Sequence, residues 1–122
     1  MQLTKNFALE EFACPCCGQM PDPENHEFKY FVGKLQEIRD LCRFPLHINS
    51  GFRCKQHNKD VGGVRDSSHL IGLAVDIEIT NNFTRYLFLK SCFEVGIKRY
   101  EIARNYIHID VDDSKDDMFM IK

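Results

Sequence analysis

The sequence has no excess of basic residues, no long apolar run and no N-terminal export signal, and each absence narrows the possible functions. Lysine and arginine total 16 against 18 acidic residues, a net charge of −2. With no basic excess to hold a phosphate backbone, we expect no nucleic-acid partner. No apolar run approaches the ~20 residues of a bilayer crossing, so we expect no membrane insertion. The first residues lack a basic region followed by an apolar segment, so we expect synthesis in the cytoplasm without a signal peptide.

The expected state of the six cysteines depends on the cellular compartment. In a small secreted protein they would suggest disulfides. Because we expect no export signal, we expect a reducing compartment, which favours free thiols or a metal site. Cys14 and Cys17 have the spacing of a zinc knuckle, yet no second pair of this kind completes four ligands, and only Cys54 is free to join. We therefore do not expect a second, structural zinc at Cys14 and Cys17. Cys42 and Cys92 fall at apolar helix positions and are predicted core thiols.

Length and hydrophobic periodicity predict one domain over 1–122, with a Cys-rich knuckle at 1–20 and an acidic tail at 113–122. We expect a monomer. The patterns predict helices and strands in the following order: a helix from about Asp22 to Cys42, a strand at Leu46–Asn49, a helix at Lys55–Val61, a strand at Leu73–Ile79, a helix at Phe83–Val95, and strands at Arg99–Ala103 and Tyr106–Val111. Helices interspersed with strands, the last two forming a hairpin, predict an α+β fold with a mainly antiparallel sheet and flanking helices.

An aspartate stands inside one of the predicted buried strands. Burying an unpaired carboxylate costs several kcal/mol, so Asp76 requires a positive partner. The last predicted strand places His108, Asp110 and Asp112 on one face and aliphatic residues on the other. Two strands of one sheet can therefore present Asp76 and His108 to a common side.

His69 can reach that side only if the chain reverses before Asp76, because an extended segment between them would span roughly 20 Å. Gly72 permits such a reversal. Two neutral imidazoles and one carboxylate suit a divalent cation and leave a position for water, which is the composition of a catalytic zinc site. Spacing alone leaves the alternative open that these are ordinary hydrogen-bonded groups without a metal.

A longer pattern of fixed spacing adds a family resemblance. It consists of Ser50-Gly51-Phe52-Arg53, His57-Asn58, Val61-Gly62-Gly63, Ser67, His69, Gly72, Ala74, Asp76 and finally His108. This pattern resembles the D-alanyl-D-alanine carboxypeptidase family of zinc metallopeptidases. That family groups with the L-alanyl-D-glutamate endopeptidases of phage endolysins and shares its fold with the hedgehog signalling domain. The resemblance covers nearly the whole chain and is greatest to the small single-domain phage and bacterial members.

The resemblance implies a role for each matching residue. One catalytic Zn²⁺ would be bound by His69, Asp76 and His108, and would activate a water molecule for attack on a peptide bond. Arg53 matches the arginine that polarises the scissile carbonyl. Ser67 matches a serine that contacts the terminal carboxylate of the substrate, which for this family is a peptidoglycan peptide.

The general base departs from the family pattern. Many relatives have Glu or Asp three residues before the last histidine, where this chain has Asn105, which cannot accept a proton. We take Asp110 as the first candidate base, because it shares a strand face with that histidine. The alternative is that Asp110 orients a ligand histidine or pairs with Arg53. Glu101 and Asp112 rank behind it.

The leading hypothesis is a zinc peptidase that hydrolyses peptidoglycan stem peptides in phage or prophage lysis. Such a protein would act on the cell wall after release through a membrane lesion or when carried in a virion. A second hypothesis is a non-catalytic, zinc-stabilised module that binds cell wall or a protein, and Asn105 favours it. A third is a phage structural component. The retained Arg53 and Ser67 favour the enzyme.

Overall fold

Helices and strands alternate along the chain in the computed structural model, which describes residues 1–122. The elements in chain order are a 3₁₀ turn (Leu9–Phe12), α1 (His26–Cys42), β1 (Ile48–Ser50), α2 (Lys55–Asp60), a second 3₁₀ turn (Ser68–Ile71), β2 (Ala74–Glu78), α3 (Asn82–Glu94), β3 (Arg99–Ile102), β4 (Tyr106–Asp110) and β5 (Met118–Ile121). The predicted α+β class is confirmed.

One five-stranded sheet has the order β1-β2-β4-β3-β5. Its pairs are antiparallel except β3 with β5, which are parallel. Sequence analysis missed β5, because its four residues follow an acidic stretch and lack the alternation of a half-buried strand. The segment 113–122, expected as an acidic tail, thus contributes an edge strand to the sheet.

The longest helix begins four residues later than predicted. The side chain of Asn25 accepts a hydrogen bond from the Phe28 N–H at 2.9 Å and so caps α1. The apolar side of α1 is buried in the main hydrophobic core, where it meets α3 and one face of the sheet. None of the helices is both long enough and apolar enough to cross a membrane.

The two central strands have chemically different faces. In β4, Ile107 and Ile109 are fully buried among the core residues, while His108 and Asp110 project from the opposite face. In β2, Ile77 likewise joins the core and Asp76 takes the other face. The polar face of the sheet therefore lies opposite the face that packs in the hydrophobic core with α1 and α3.

The N-terminal segment crosses very close to the chain after β1. The Phe52 N–H donates to the Phe12 carbonyl at 2.9 Å. A Cβ on Gly51 would lie only 2.8 Å from the Phe12 Cα, so this close approach requires glycine. The first 3₁₀ turn is consequently held against the loop that carries Arg53.

Candidate metal centre

Three side chains converge on the polar face of the sheet. His69 Nε2 lies 3.2 Å from Asp76 Oδ1, and His108 Nδ1 lies 3.1 Å from the same oxygen. The potential ligand atoms of the three residues all lie within 4.8 Å of one another, and all three residues are buried. The structure thus brings together the three residues that were predicted to bind zinc.

Strand register places two of these residues. Asp76 in β2 and His108 in β4 are directly opposite each other in the antiparallel pair. Directly opposite residues on one face have Cβ atoms about 4.5–5.5 Å apart, so their side chains meet without distortion. The sharing of one sheet face that the sequence predicted is confirmed.

A tight turn places the third residue. His69 lies in the second 3₁₀ turn, where the Ser67 hydroxyl accepts a hydrogen bond from the His69 N–H at 3.2 Å. Gly72 ends the turn with φ of +74°, a left-handed conformation that glycine adopts without strain. The predicted reversal at Gly72 is confirmed, and it directs the imidazole toward Asp76.

Hydrogen bonds determine which ring nitrogens face the carboxylate. His69 Nδ1 donates to the Gly51 carbonyl at 2.6 Å, and His108 Nε2 donates to Asp110 Oδ2 at 2.7 Å. In neutral imidazoles, the lone pairs of His69 Nε2 and His108 Nδ1 then point at Asp76 Oδ1. Lone pairs facing a carboxylate repel it unless a proton or a cation lies between them. This donor set therefore fits a divalent cation, and three donors are one fewer than the four that zinc takes.

The pKa values follow the same electrostatics. Burial raises the pKa of Asp76, but hydrogen bonds from His108 and His69 outweigh burial and hold it well below its ordinary value. Burial lowers the pKa of His108, whereas hydrogen bonds to Asp110 and Asp76 raise it to a net value of about 9. Positive charge beside Asp76 thus favours its ionised form, and a divalent cation would compete with protons for the same ligand atoms.

Arg53 lies at the edge of the three-residue cluster. Its Nη2 is 3.3 Å from Asp76 Oδ2, and Nη1 donates to Asn58 Oδ1 at 3.2 Å. Nε donates to the Ser50 hydroxyl at 3.1 Å. The guanidinium is thereby fixed on three sides, next to the carboxylate oxygen that does not contact the histidines.

Asn58 connects α2 to the glycine loop. Its side-chain amide donates to the Val64 carbonyl at 2.9 Å. A Cβ on Gly63 would lie 2.0 Å from Asn58 Oδ1, so a side chain there would displace the amide that orients Arg53. The glycine loop therefore supports the site indirectly.

Both carboxylate oxygens of Asp110 are occupied by protein donors. Oδ1 accepts from Arg99 Nε at 2.7 Å and from the Asp112 N–H at 3.1 Å, while Oδ2 contacts His108. Asp110 is 2% exposed. These contacts match the alternative in which Asp110 orients a ligand histidine. The suggested pairing of Asp110 with Arg53 was wrong, because Arg99 occupies that position.

The other acidic candidates lie further from the centre. Glu101 Oε2 is 3.9 Å from His108 Nε2, and Glu101 Oε1 pairs with Lys122. Asp112 accepts a hydrogen bond from Ser68 at 2.7 Å and so supports the turn of His69.

Asn105 is exposed in the turn before β4. The role of Asp110 as general base stays a prediction, as does substrate contact by Ser67, whose hydroxyl is used in capping the turn of His69.

Sequence reasoning missed two contributors, Arg99 and the carbonyl of Gly51. Arg99 could have been found from the predicted hairpin: a two-residue turn at Arg104-Asn105 pairs positions 99 and 110, and the structure has this register. The Gly51 carbonyl carried no side-chain signal. Its contact with His69 depends on how the loop after β1 packs against the second 3₁₀ turn.

The fold and the site together define an α+β protein with a candidate divalent-metal centre on one sheet face. The family model for peptidase M15 matches residues 5–110. The chain therefore belongs to the peptidase M15 family, which consists of metallopeptidases, and the resemblance found in the sequence is confirmed at this level. A search of curated proteins found no match.

Proposed function

We propose that the protein is a zinc peptidase that hydrolyses stem-peptide bonds of peptidoglycan. The observation that carries the proposal is the convergence of His69 Nε2, Asp76 Oδ1 and His108 Nδ1 beside the fixed guanidinium of Arg53. Family membership supports a metallopeptidase, and the donor set matches the three protein ligands typical of catalytic zinc sites.

The residues of this chain divide the work. Bound zinc would lower the pKa of a water molecule and polarise a carbonyl oxygen. The Gly51 carbonyl holds the His69 ring in the tautomer that binds metal, and Asp110 does the same for His108. The guanidinium of Arg53 can donate to the oxygen on which negative charge develops.

Two carboxylates near His108 are candidates for the proton acceptor. Asp110 and Glu101 both approach His108 at Nε2, the ring atom opposite the one that faces Asp76. The contacts of Asp110 favour its orienting role, and Asp110 and Glu101 are the two candidate bases that experiment can separate. An orienting residue changes metal affinity when substituted, whereas a base changes the pH profile of cleavage with metal affinity intact.

The bond that is cleaved and the biological setting are further parts of the proposal. The sequence pattern suits a D-Ala-D-Ala carboxypeptidase or an L-Ala-D-Glu endopeptidase, acting in phage or prophage cell-wall lysis. The two activities differ in product: the first releases a terminal D-alanine and the second separates the peptide after its first residue. Identification of the new termini therefore distinguishes them.

The test is digestion of purified peptidoglycan by the zinc-loaded protein, with products identified by mass spectrometry. We expect new peptide termini with the wild-type protein and none with His69→Ala. His47→Ala is the matched control, because His47 is an exposed histidine outside the site, and it should cleave like wild type. Absence of cleavage by a wild-type protein that holds zinc at His69 would overturn the proposal.

One observation favours a second candidate, a non-catalytic zinc-stabilised module that binds cell-wall peptide or a protein. Asn105 stands where relatives have an acid, and both oxygens of Asp110 are already bonded. Such a module would retain peptidoglycan in a pull-down while producing no new termini. Loss of that retention in Arg53→Ala would assign the binding to this site.

A further inference from the structure

A second group of potential metal ligands lies outside the site described above. The Sγ atoms of Cys14, Cys16, Cys17 and Cys54 all lie within 4.8 Å of one another. We call these four residues the thiol cluster. We propose that the thiol cluster binds a second, structural zinc ion. Sequence analysis did not expect this site, because it saw no second cysteine pair and counted only Cys54 as free to join Cys14 and Cys17.

The spacing of the sulfur atoms suits four thiolates around one ion. Sγ of Cys16 is 3.5 Å from Sγ of Cys14 and 3.3 Å from Sγ of Cys54. With Zn–S bonds of about 2.3 Å, tetrahedral ligands lie about 3.8 Å apart. A disulfide would bring two sulfurs to about 2.05 Å and leave the remaining two without a shared role. Only small shifts separate the observed cluster from a tetrahedral site.

Backbone donors already point at two of the sulfurs. The Cys54 N–H lies 3.5 Å from Sγ of Cys14, and the His57 N–H lies 3.4 Å from Sγ of Cys54. Hydrogen bonds of this kind stabilise thiolates, the form that binds metal. The turn that holds Cys14 is closed by the Gly18 N–H, which donates to the Cys14 carbonyl at 2.8 Å, with Gly18 at φ of +76°. The loop is therefore arranged as a ligand-presenting turn.

The chemistry of four thiols distinguishes this cluster from the His–Asp centre. Four sulfur donors complete the tetrahedral coordination of zinc and leave no position for water or substrate, which is typical of a structural site. Soft thiolates also select zinc over magnesium or calcium, which prefer oxygen ligands. We therefore assign no reaction to the thiol cluster.

Its location gives it a structural task. Cys54 directly follows Arg53, and the other three cysteines lie within the five residues after the first 3₁₀ turn. The same two segments already meet where Phe52 donates to the Phe12 carbonyl. A zinc ion here would fasten the N-terminal segment to the loop that carries Arg53 and the Gly51 carbonyl, and so would maintain the surroundings of the first centre.

Metal content tests the proposal without reference to activity. Protein purified under reducing conditions with zinc present should contain two zinc ions per chain by mass spectrometry of the metal. The double variant Cys16→Ser/Cys17→Ser should contain one, as should His69→Ala. Cys16 and Cys17 are both exposed, so serine at these positions removes ligands without disturbing the core. Cys42→Ala is the matched control, since Cys42 lies outside the cluster, and it should retain two.

Cobalt substitution identifies the ligands directly. Co²⁺ bound by thiolates should produce a sulfur-to-cobalt charge-transfer band in the wild type and in His69→Ala, and the band should be absent in Cys16→Ser/Cys17→Ser. One zinc per chain that is lost only in His69→Ala would overturn the proposal and leave the proposed peptidase intact. A chain mass lower by two hydrogens, with no second zinc, would also overturn it by revealing a disulfide.

Discussion

The His–Asp centre and the thiol cluster are assembled in opposite ways. The centre takes one ligand each from β2, β4 and a 3₁₀ turn, and all three residues are buried. The cluster takes three of its four cysteines from one short loop, and Cys16 and Cys17 are exposed. The sheet thus offers three of the four ligands that zinc takes, whereas the cluster offers all four. The difference favours a catalytic role for the first group and a structural role for the second.

The largest expected effect is the loss of cleavage on substitution of a ligand in the His–Asp centre, and it distinguishes this centre from the thiol cluster. His69→Ala removes a ligand from the His–Asp centre, so peptidoglycan cleavage should fall to background. Cys16→Ser/Cys17→Ser should lower Tm while cleavage stays measurable, because the three ligands and Arg53 are all retained. Cleavage assays and thermal melts of both variants check this prediction. Background-level cleavage by the cysteine variant at a temperature where it is folded would break the comparison.

Arg53 contacts Asp76 and directly precedes Cys54 in the chain, and its substitution should have the next largest effect. The substitution Arg53→Lys keeps the positive charge, but lysine cannot make the three contacts of the guanidinium to Asp76, Asn58 and Ser50. We expect kcat/KM to fall by about 10²–10³-fold, the effect of losing one donor to a developing oxyanion. Zinc content should stay at the wild-type value. Steady-state kinetics and metal analysis measure both, and a parallel loss of zinc would instead give Arg53 a purely structural role.

Substitution of Asp110 tests how much its hydrogen bond to His108 contributes to zinc binding. Asp110→Asn weakens the contacts that orient His108, so zinc affinity at the His–Asp centre should fall about 10–100-fold. Competition with a chromogenic chelator measures this affinity. Glu101→Gln is the matched control, because Glu101 is 3.9 Å from the same ring nitrogen and should leave affinity unchanged. If Asp110→Asn retained full affinity and lost only cleavage, its role would be that of the base.

The smallest effects concern the packing that joins the regions. Alanine at Gly51 would force its Cβ to within 2.8 Å of the Phe12 Cα. We expect Gly51→Ala to lower the free energy of unfolding by about 1–3 kcal/mol through overpacking. Gly33→Ala is the contrast: Gly33 lies inside α1 with open space around its Cβ, so alanine should stabilise by about 0.5–1 kcal/mol. Urea titrations of both variants measure the two changes in the free energy of unfolding, which should have opposite signs.

The success of sequence reasoning differed between elements for physical reasons. Period-two alternation in β4 placed His108 on the polar face, because successive side chains in a strand must point to opposite sides. The edge strand β5 was missed, since an exposed strand of four residues has no buried face to produce a pattern. The predicted start of α1 was displaced by four residues, because the cap at Asn25 competes with the proline signal just before it.

The sequence by itself determined the α+β class, the three candidate ligands and the need for a reversal at Gly72. These are local properties of alternation, spacing and backbone freedom, together with a long motif of fixed spacing. Only the tertiary structure decided which imidazole nitrogens face Asp76, that the Gly51 carbonyl accepts a hydrogen bond from His69, and that Cys54 reaches the knuckle. Those contacts join segments far apart along the chain, and their geometry depends on how loops and strands pack against one another.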